Sequence, residues 1–441
     1  MTQDLNVFVQ GRRVAVLSTR DGFEHHHTYD REVQPADFVS LLMPVQSPSY
    51  SWPTLHPFFQ VNLPEGFLLA ALKQQLGPHL GARPLDLLAV VGHNMVGRVQ
   101  VSAGQTVSLQ AAQIELGPLL HGQSSQQRFA ELLLQFSASG VSGVVPKFLT
   151  PSANVSAEKK TLPTERHIIK SGSGKLAFMA LNEYFSMQVA QKTGFATART
   201  AVSDDGQVLA VERFDIDPET GARLGFEDCC SLLGLSADDK YDSTWERIAR
   251  LSRQWIAPVQ QRKALEHLAV TALLSYALGN ADCHTKNLGF LYSTSEQIRV
   301  APIYDLLTIR AFEDYAQNPP AMHLGGRKVW EPGKVLWQVL QQHFLIDPPR
   351  QRELAQIVCD ATASVFSELL YRTRHTQGFE LIGSRMIWEW EAGLKRLADR
   401  TQAPLRSFVQ QAKAVGLTEP APVVAPTPAK IGRSALLAAR T

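Results

Sequence analysis

The chain has 441 residues, is 44% hydrophobic and 19% charged, and carries 43 Lys and Arg against 41 Asp and Glu, a formal net charge of +2. That length asks for two or three subdomains, and that composition for an ordinary globular interior. The near balance of charge excludes a chain-wide nucleic-acid footprint, and no apolar run reaches bilayer length. Cys229, Cys230, Cys283 and Cys359 offer no C-x-x-C pair and the first residues carry no secretory leader, so a cytoplasmic protein without a membrane partner is expected.

Residues 1–110 read as a small α+β unit. Leu5–Val9 and Arg13–Leu17 flank Gly11 as a hairpin does. His25, His26 and His27 sit beside a strand with no second cluster, so a solvated tract is expected rather than a metal site. Phe38–Met43 is mostly apolar. Phe67–Gln75 reads as a helix behind Pro64-Glu65-Gly66, and Asp86–Val91 as a short helix stopped by Gly92. Residues 111–225 form the next unit. Gln126–Phe136 reads as a helix, followed by SASGVSGVVPKFLT (Ser137–Thr150), whose small residues would let backbone N–H groups approach phosphate oxygens. An ordinary hairpin reads equally well there. Ser152–Thr164 is polar and reads as a loop.

Arg166–Lys170 reads as a short strand ending in a lysine, which is either merely solvated, as most strand-end lysines are, or faces phosphates as the second part of a kinase nucleotide site. As an exposed strand end, Lys170 is expected to contribute little to stability. Ala180–Thr193 reads as a helix with Leu181, Tyr184, Phe185 and Val189 on one face. Glu183, near its start, can pair with Lys170 or simply suit the helix dipole. Val208–Phe214 reads as a strand in the place of a kinase hinge. Residues 226–416 read as a helical lobe that includes Phe226–Leu235 and Thr244–Trp255, and 417–441 as a Pro-rich flexible tail.

The densest chemistry lies in GNADCHTKNLGF, Gly279–Phe290, with PIYD ending at Asp305. Leu265–Leu278 has few charges and no Pro or Gly, so it reads as a buried helix, which Gly279 and Asn280 stop. Asp282 and Asn287 stand five apart, as in a kinase catalytic loop, where the Asp accepts the substrate hydroxyl proton and the Asn holds a metal ion. Two following strands, Leu288–Tyr292 and Ile298–Tyr304, would return Asp305 to the turn. One Asn oxygen and one Asp carboxylate suit Mg²⁺, which prefers oxygen ligands and keeps several waters.

The wording of these motifs resembles the HipA-type bacterial serine/threonine kinase toxins. GNADCHTKNLGF is similar to that family's G-x-x-D-x-H-x-K-N-x-x-F loop and PIYD to its P-x-Y-D. HIIK, NEY, VERFD, Glu227-Asp228, Leu233-Gly234-Leu235, Lys240-Tyr241, Pro57–Gly66 and Asp86–Gly97 match as well. The resemblance implies an α+β fold, two-lobed and protein-kinase-like, with a small N-terminal α+β subdomain and a mostly helical C-terminal lobe. It implies an ATP- and Mg²⁺-dependent serine/threonine protein kinase, the toxin of a toxin–antitoxin pair that arrests growth by phosphorylating a translation-related protein. Asp282, with Lys286 and His284, would form the catalytic set, Asp282 as general base and Lys286 offsetting phosphoryl charge. Asn287 and Asp305 would hold Mg²⁺. Gly140, Val141, Ser142, Gly143, Lys170, Glu212, Arg213 and Phe214 would line ATP.

The resemblance also implies a helix-turn-helix antitoxin partner that makes most of the DNA contact, and protein substrates such as aminoacyl-tRNA synthetases. The sequence departs from the family at Gly140, where relatives carry the autophosphorylated serine. Ser142, and after it Ser139, are the nearby hydroxyls; autophosphorylation would then be absent, weaker or moved to Ser142, and both serines read equally well as small turn residues. Phe226 stands where a polar residue is common. Two other readings stay open: a catalytically silent kinase-fold co-repressor or binding module, and a metal-dependent hydrolase built on Asp282, His284 and Asp305.

Overall fold

The first hairpin, β1 (Leu5–Val9) and β2 (Arg12–Arg20), turns at Gly11, whose φ of +78° favours a residue without a Cβ. The computed structural model describes residues 4–20, 24–63, 83–106, 115–122, 125–139, 159–400 and 407–423. The expected helix Phe67–Gln75 and the loop Gly140–Lys147, with Ser142, lie outside these residues. Among the described residues no helix is long and apolar enough to cross a membrane.

The N-terminal unit is a five-stranded antiparallel sheet in the order β4-β3-β2-β1-β5, with β3 Glu24–Tyr29, β4 Ser49–Trp52 and β5 Val99–Ser102. The short helices α1 (Pro57–Gln60) and α2 (Pro84–Val91) accompany it. The histidine tract departs from expectation, because it lies within β3 itself. His27 is fully buried against Tyr29 and Phe59, with ring centroids at 4.6 and 6.2 Å, and burial pushes its pKa down to about 4.

The next unit holds α3 (Leu116–Leu120), α4 (Ser125–Ser139) and a four-stranded antiparallel sheet, β6-β7-β9-β8. Its strands are β6 Lys159–Pro163, β7 His167–Gly172, β8 Thr200–Val202 and β9 Val208–Glu212. The polar stretch expected to be a loop up to Thr164 thus contributes an edge strand, with Thr161 opposite Lys170. Helix α4 runs through Ser139, three residues beyond its expected end. Helix α5 (Met179–Lys192) packs on this sheet and buries Glu183 completely.

Phe226–Asp228 was expected to be helical, but belongs to β10 (Gly225–Asp228), followed by the single turn α6 (Cys229–Leu232). The strand wins because Gly225–Asp228 pairs along β11 (Gly289–Tyr292), which pairs in turn with β12 (Ile298–Val300). The rest is helical: α7 Trp245–Trp255, α8 Pro258–Leu278, α9 Lys334–Gln342, α10 Pro348–His375, α11 Glu380–Leu397 and α12 Phe408–Ala414. Helix α8 is apolar all round from Leu268 to Leu278, so it lies at the centre of the largest hydrophobic cluster.

Buried polar bonds join the N-terminal unit to the rest. Glu227 Oε1 accepts from the Leu41 N–H at 2.6 Å and from the Tyr292 hydroxyl at 2.9 Å, and its Oε2 accepts from the Ser40 hydroxyl at 2.7 Å. Burial raises the Glu227 carboxyl to about 7. The Arg98 guanidinium lies 4.4 Å from the Phe38 ring centroid and 5.2 Å from that of Tyr292.

Candidate active site

Helix α8 leads into the turn that carries Asp282 and Asn287. Gly279 ends it in the left-handed region at φ +66°, with its N–H donating to Ser275 O. The chain then holds itself by its own side chains. Asn280 Oδ1 accepts from the Asp282 N–H at 3.0 Å, and Asn287 Nδ2 donates to Asp282 O at 2.8 Å. The Tyr304 hydroxyl, buried beneath, donates to Lys286 O at 2.7 Å. The five-residue spacing of Asp282 and Asn287 therefore closes a loop in which the Asn amide N–H grips the Asp backbone carbonyl.

Asp282 Oδ1 accepts from the Tyr241 hydroxyl at 2.6 Å, and His284 Nε2 lies 3.9 Å from the same oxygen. His284 is buried, which pushes its pKa down to about 4 against the opposing pull of Asp282. At neutral pH it is an uncharged imidazole, packed edge-on to the Tyr241 ring at 4.9 Å.

Asp305 is reached by a loop rather than by the expected strand, since β12 ends at Val300. Parallel bridging fixes the approach: Ala198 N–H donates to Ile303 O and Ile303 N–H to Ala196 O, both at 2.9 Å. Asp305 itself sits at φ +54°, a left-handed conformation that Asp and Asn tolerate better than most residues. Its Oδ1 meets Lys170 Nζ at 2.6 Å, and the same Nζ meets Glu183 Oε1 at 2.5 Å. Lys170 is not the exposed strand end that was expected; it is 7% exposed and lies between two carboxylates. The Asp305 carboxylate and the Asn287 side-chain oxygen are of the hard oxygen type that could hold Mg²⁺.

The hinge residues separate. Glu212 is exposed, and its carboxylate lies 3.9 Å from Arg199. Arg213 points inward with no side-chain exposure and forks onto Asp215, its Nε 3.0 Å from Oδ1 and its Nη2 2.5 Å from Oδ2. It also donates to Asn94 Oδ1 and to the carbonyls of Thr164 and Met95, so its guanidinium braces the N-terminal unit against this strand end. The Glu212 and Arg213 N–H groups are taken by Arg199 O and Arg166 O. Phe214 packs on Phe226 and Tyr304, ring centroids 5.6 and 5.2 Å away, which gives the unusual Phe226 an aromatic role. Gly140, Val141, Ser142 and Gly143 lie outside the described residues, and Ser139 ends α4.

Tyr241, Asp215 and Asn94 fall within motifs quoted above, but the sequence assigned them no role. The Lys240-Tyr241 pair was noted as a motif, but nothing in its spacing points to Asp282.

Comparison with known proteins follows the same lines. A model of the HipA-like C-terminal domain matches residues 139–367, and a model of the HipA N-terminal domain matches residues 5–102. The chain is 27% identical over 407 residues to the Sinorhizobium fredii protein named "Putative kinase Y4mE", covering 84% of this chain and 92% of that one. A Haemophilus influenzae protein named "Putative kinase" is 25% identical over 165 residues, 34% of this chain and 46% of that protein. Among solved structures, a chain from the Shewanella oneidensis MR-1 toxin–antitoxin complex of HipA, HipB and operator DNA superposes with a TM-score of 0.66. Identity there is 18%, with 90% of this chain and 97% of that one covered.

Proposed function

The chain belongs to the HipA family, and on that premise we propose that it is an ATP- and Mg²⁺-dependent serine/threonine protein kinase, the toxin of a toxin–antitoxin pair. The observation that carries the reading is Lys170, held on Glu183 and Asp305 at 2.5 and 2.6 Å beside the Asp282–Asn287 turn. A hydrolase using Asp282, His284 and Asp305 leaves the buried Lys170–Glu183 pair without a task. A silent binding module leaves the whole set without one.

In this reading Glu183 holds Lys170 in place, and Lys170 faces the nucleotide phosphates. Asn287 and Asp305 hold Mg²⁺, which supplies charge neutralisation at the phosphates. Asp282 accepts the proton of a Ser or Thr hydroxyl, while the uncharged His284 packs behind it. Lys286 offsets charge on the transferred group. Because the Glu212 and Arg213 N–H groups are occupied, adenine would meet carbonyls of Val211–Phe214 or the N–H of Phe214. The small-residue loop Gly140–Gly143 would cover the phosphates, with Ser142, then Ser139, as autophosphorylation sites. The solved relative assembles with HipB and operator DNA; by analogy we assign this chain a small DNA-binding antitoxin partner, while a translation-related protein substrate follows only from the family resemblance.

The test is incubation of the full chain with γ-labelled ATP, Mg²⁺ and a Ser/Thr protein acceptor, beside Asp282→Asn. Label in protein with wild type and loss of it with the variant is the expected result. Equal label with both, or phosphate release without protein label, overturns the reading. Mass mapping of the same samples reports on Ser142 and Ser139.

A further inference from the structure

Tyr241 lies between α6 and α7, 41 residues from Asp282, and donates its hydroxyl to Asp282 Oδ1 at 2.6 Å. Its backbone is fastened at two successive carbonyls. The Thr285 N–H and hydroxyl both donate to Lys240 O, at 3.1 and 2.8 Å, and Lys328 Nζ donates to Tyr241 O at 3.2 Å. The ring is fixed edge-on to His284, at an interplanar angle of 81°. Tyr241 is nevertheless 39% exposed, so it borders the open side of the turn rather than filling the core.

The Asp282 backbone is held by Asn280 and Asn287. Those bonds leave the carboxylate free to turn about Cβ–Cγ, a broad and roughly two-fold torsion. The described contacts to the carboxylate converge on Oδ1, from Tyr241 and from the side where His284 lies 3.9 Å away. No described group donates to Oδ2.

We propose that Tyr241 is a positioning residue for phosphoryl transfer, turning Asp282 so that Oδ2 faces the hydroxyl of a Ser or Thr acceptor. The inference rests on the kinase reading above and adds to it the residue that orients the base and the oxygen that does the work. As the acceptor oxygen bonds to the γ-phosphorus of ATP, its proton passes to Asp282 Oδ2. The bond from that phosphorus to the β–γ bridging oxygen breaks, and ADP leaves. Tyr241 keeps its own proton throughout. Its contribution is orientation, so its loss slows the chemical step and leaves nucleotide binding intact.

The experiment is steady-state kinetics of the full chain with ATP and a protein acceptor, wild type against Tyr241→Phe, with melting curves for both. Phe keeps the ring against His284 and removes only the donor. The expected result is a kcat lower by about tenfold or more, a KM for ATP within about twofold, and an unchanged melting temperature. A wild-type kcat in Tyr241→Phe overturns the inference and leaves the kinase reading standing. A faster variant also overturns it, since the phenol would then be occupying the acceptor's place. Parallel loss of kcat and of melting temperature makes Tyr241 merely structural and overturns it as well. A wild-type chain that transfers no phosphate to protein overturns the kinase reading and this inference together.

Discussion

Lys170 Nζ and Asp305 Oδ1, 135 residues apart in the chain, meet at 2.6 Å. This pair joins a strand of the β6-β7-β9-β8 sheet to the loop that follows β12, and so brings together the two halves of the proposed nucleotide site. Glu183, fully buried on α5, completes it from behind.

Lys170→Ala is therefore expected to destabilise the protein, contrary to the reading of an exposed strand end. Removing the cation breaks a buried ion pair at Glu183 Oε1, a loss of about 3–5 kcal/mol. Urea unfolding of the variant measures it. A Lys170→Met, Glu183→Leu double variant should recover most of the loss while remaining unable to use ATP. An unchanged midpoint in Lys170→Ala would show that the pair does not hold the fold.

Asp282→Asn and Asp305→Asn should each remove phosphoryl transfer while the protein stays folded. Asn keeps the shape of both side chains and tolerates the left-handed backbone of Asp305. Loss of the base or of the metal ligand is expected to cost at least about 2–4 kcal/mol of transition-state stabilisation. Labelled-ATP kinetics with circular dichroism of the same samples checks both halves. Near-normal transfer by either variant would remove that residue from the mechanism.

Glu227 should make stability fall as pH rises. Its folded carboxyl holds a proton up to about pH 7, whereas the unfolded chain releases it near the ordinary glutamate value of 4.5. Between those values the folded state binds more protons, so this contribution is fully present below the lower one and lost through the upper. His27, His56, His267 and His284, pushed down by burial, act in the opposite direction below pH 6.5. Subtracting Glu227→Gln from wild type cancels them. The difference should change by up to about 3 kcal/mol between pH 4 and 8, in favour of the variant at the alkaline end. A flat difference curve would contradict the assignment.

Gly393→Ala should loosen the support of the Asp282–Asn287 turn. A Cβ there would stand 1.9 Å from Ala277 O, on the last turn of α8. Helices α8 and α11 would have to part, at a cost of about 1–3 kcal/mol. A lowered melting temperature checks this, and a variant as stable as wild type would show that the helices adjust freely.

The sequence by itself determined the local elements and the order of the parts. The β1–β2 hairpin, α2 with its Gly92 stop, α5 and α8 follow from hydrophobic period and from residues that stop helices, all of which act within a few positions. The Asp282–Asn287 turn was legible for the same reason, since its spacing closes a bond within one loop. Tertiary structure alone decided which charges are buried and what they face. Arg213, which its motif would place at the nucleotide, turns inward because Asp215, Thr164, Asn94 and Met95 converge on it. Glu227 is buried by Ser40 and Leu41, from 186 and more residues away. Phe226–Asp228 becomes strand because β11 lies beside it. Tyr241 reaches Asp282 because the adjoining Lys240 carbonyl is fastened to Thr285 of the turn. Each of these depends on groups distant in the chain, and the environment of a charge is set by whatever packs around it rather than by its neighbours in sequence.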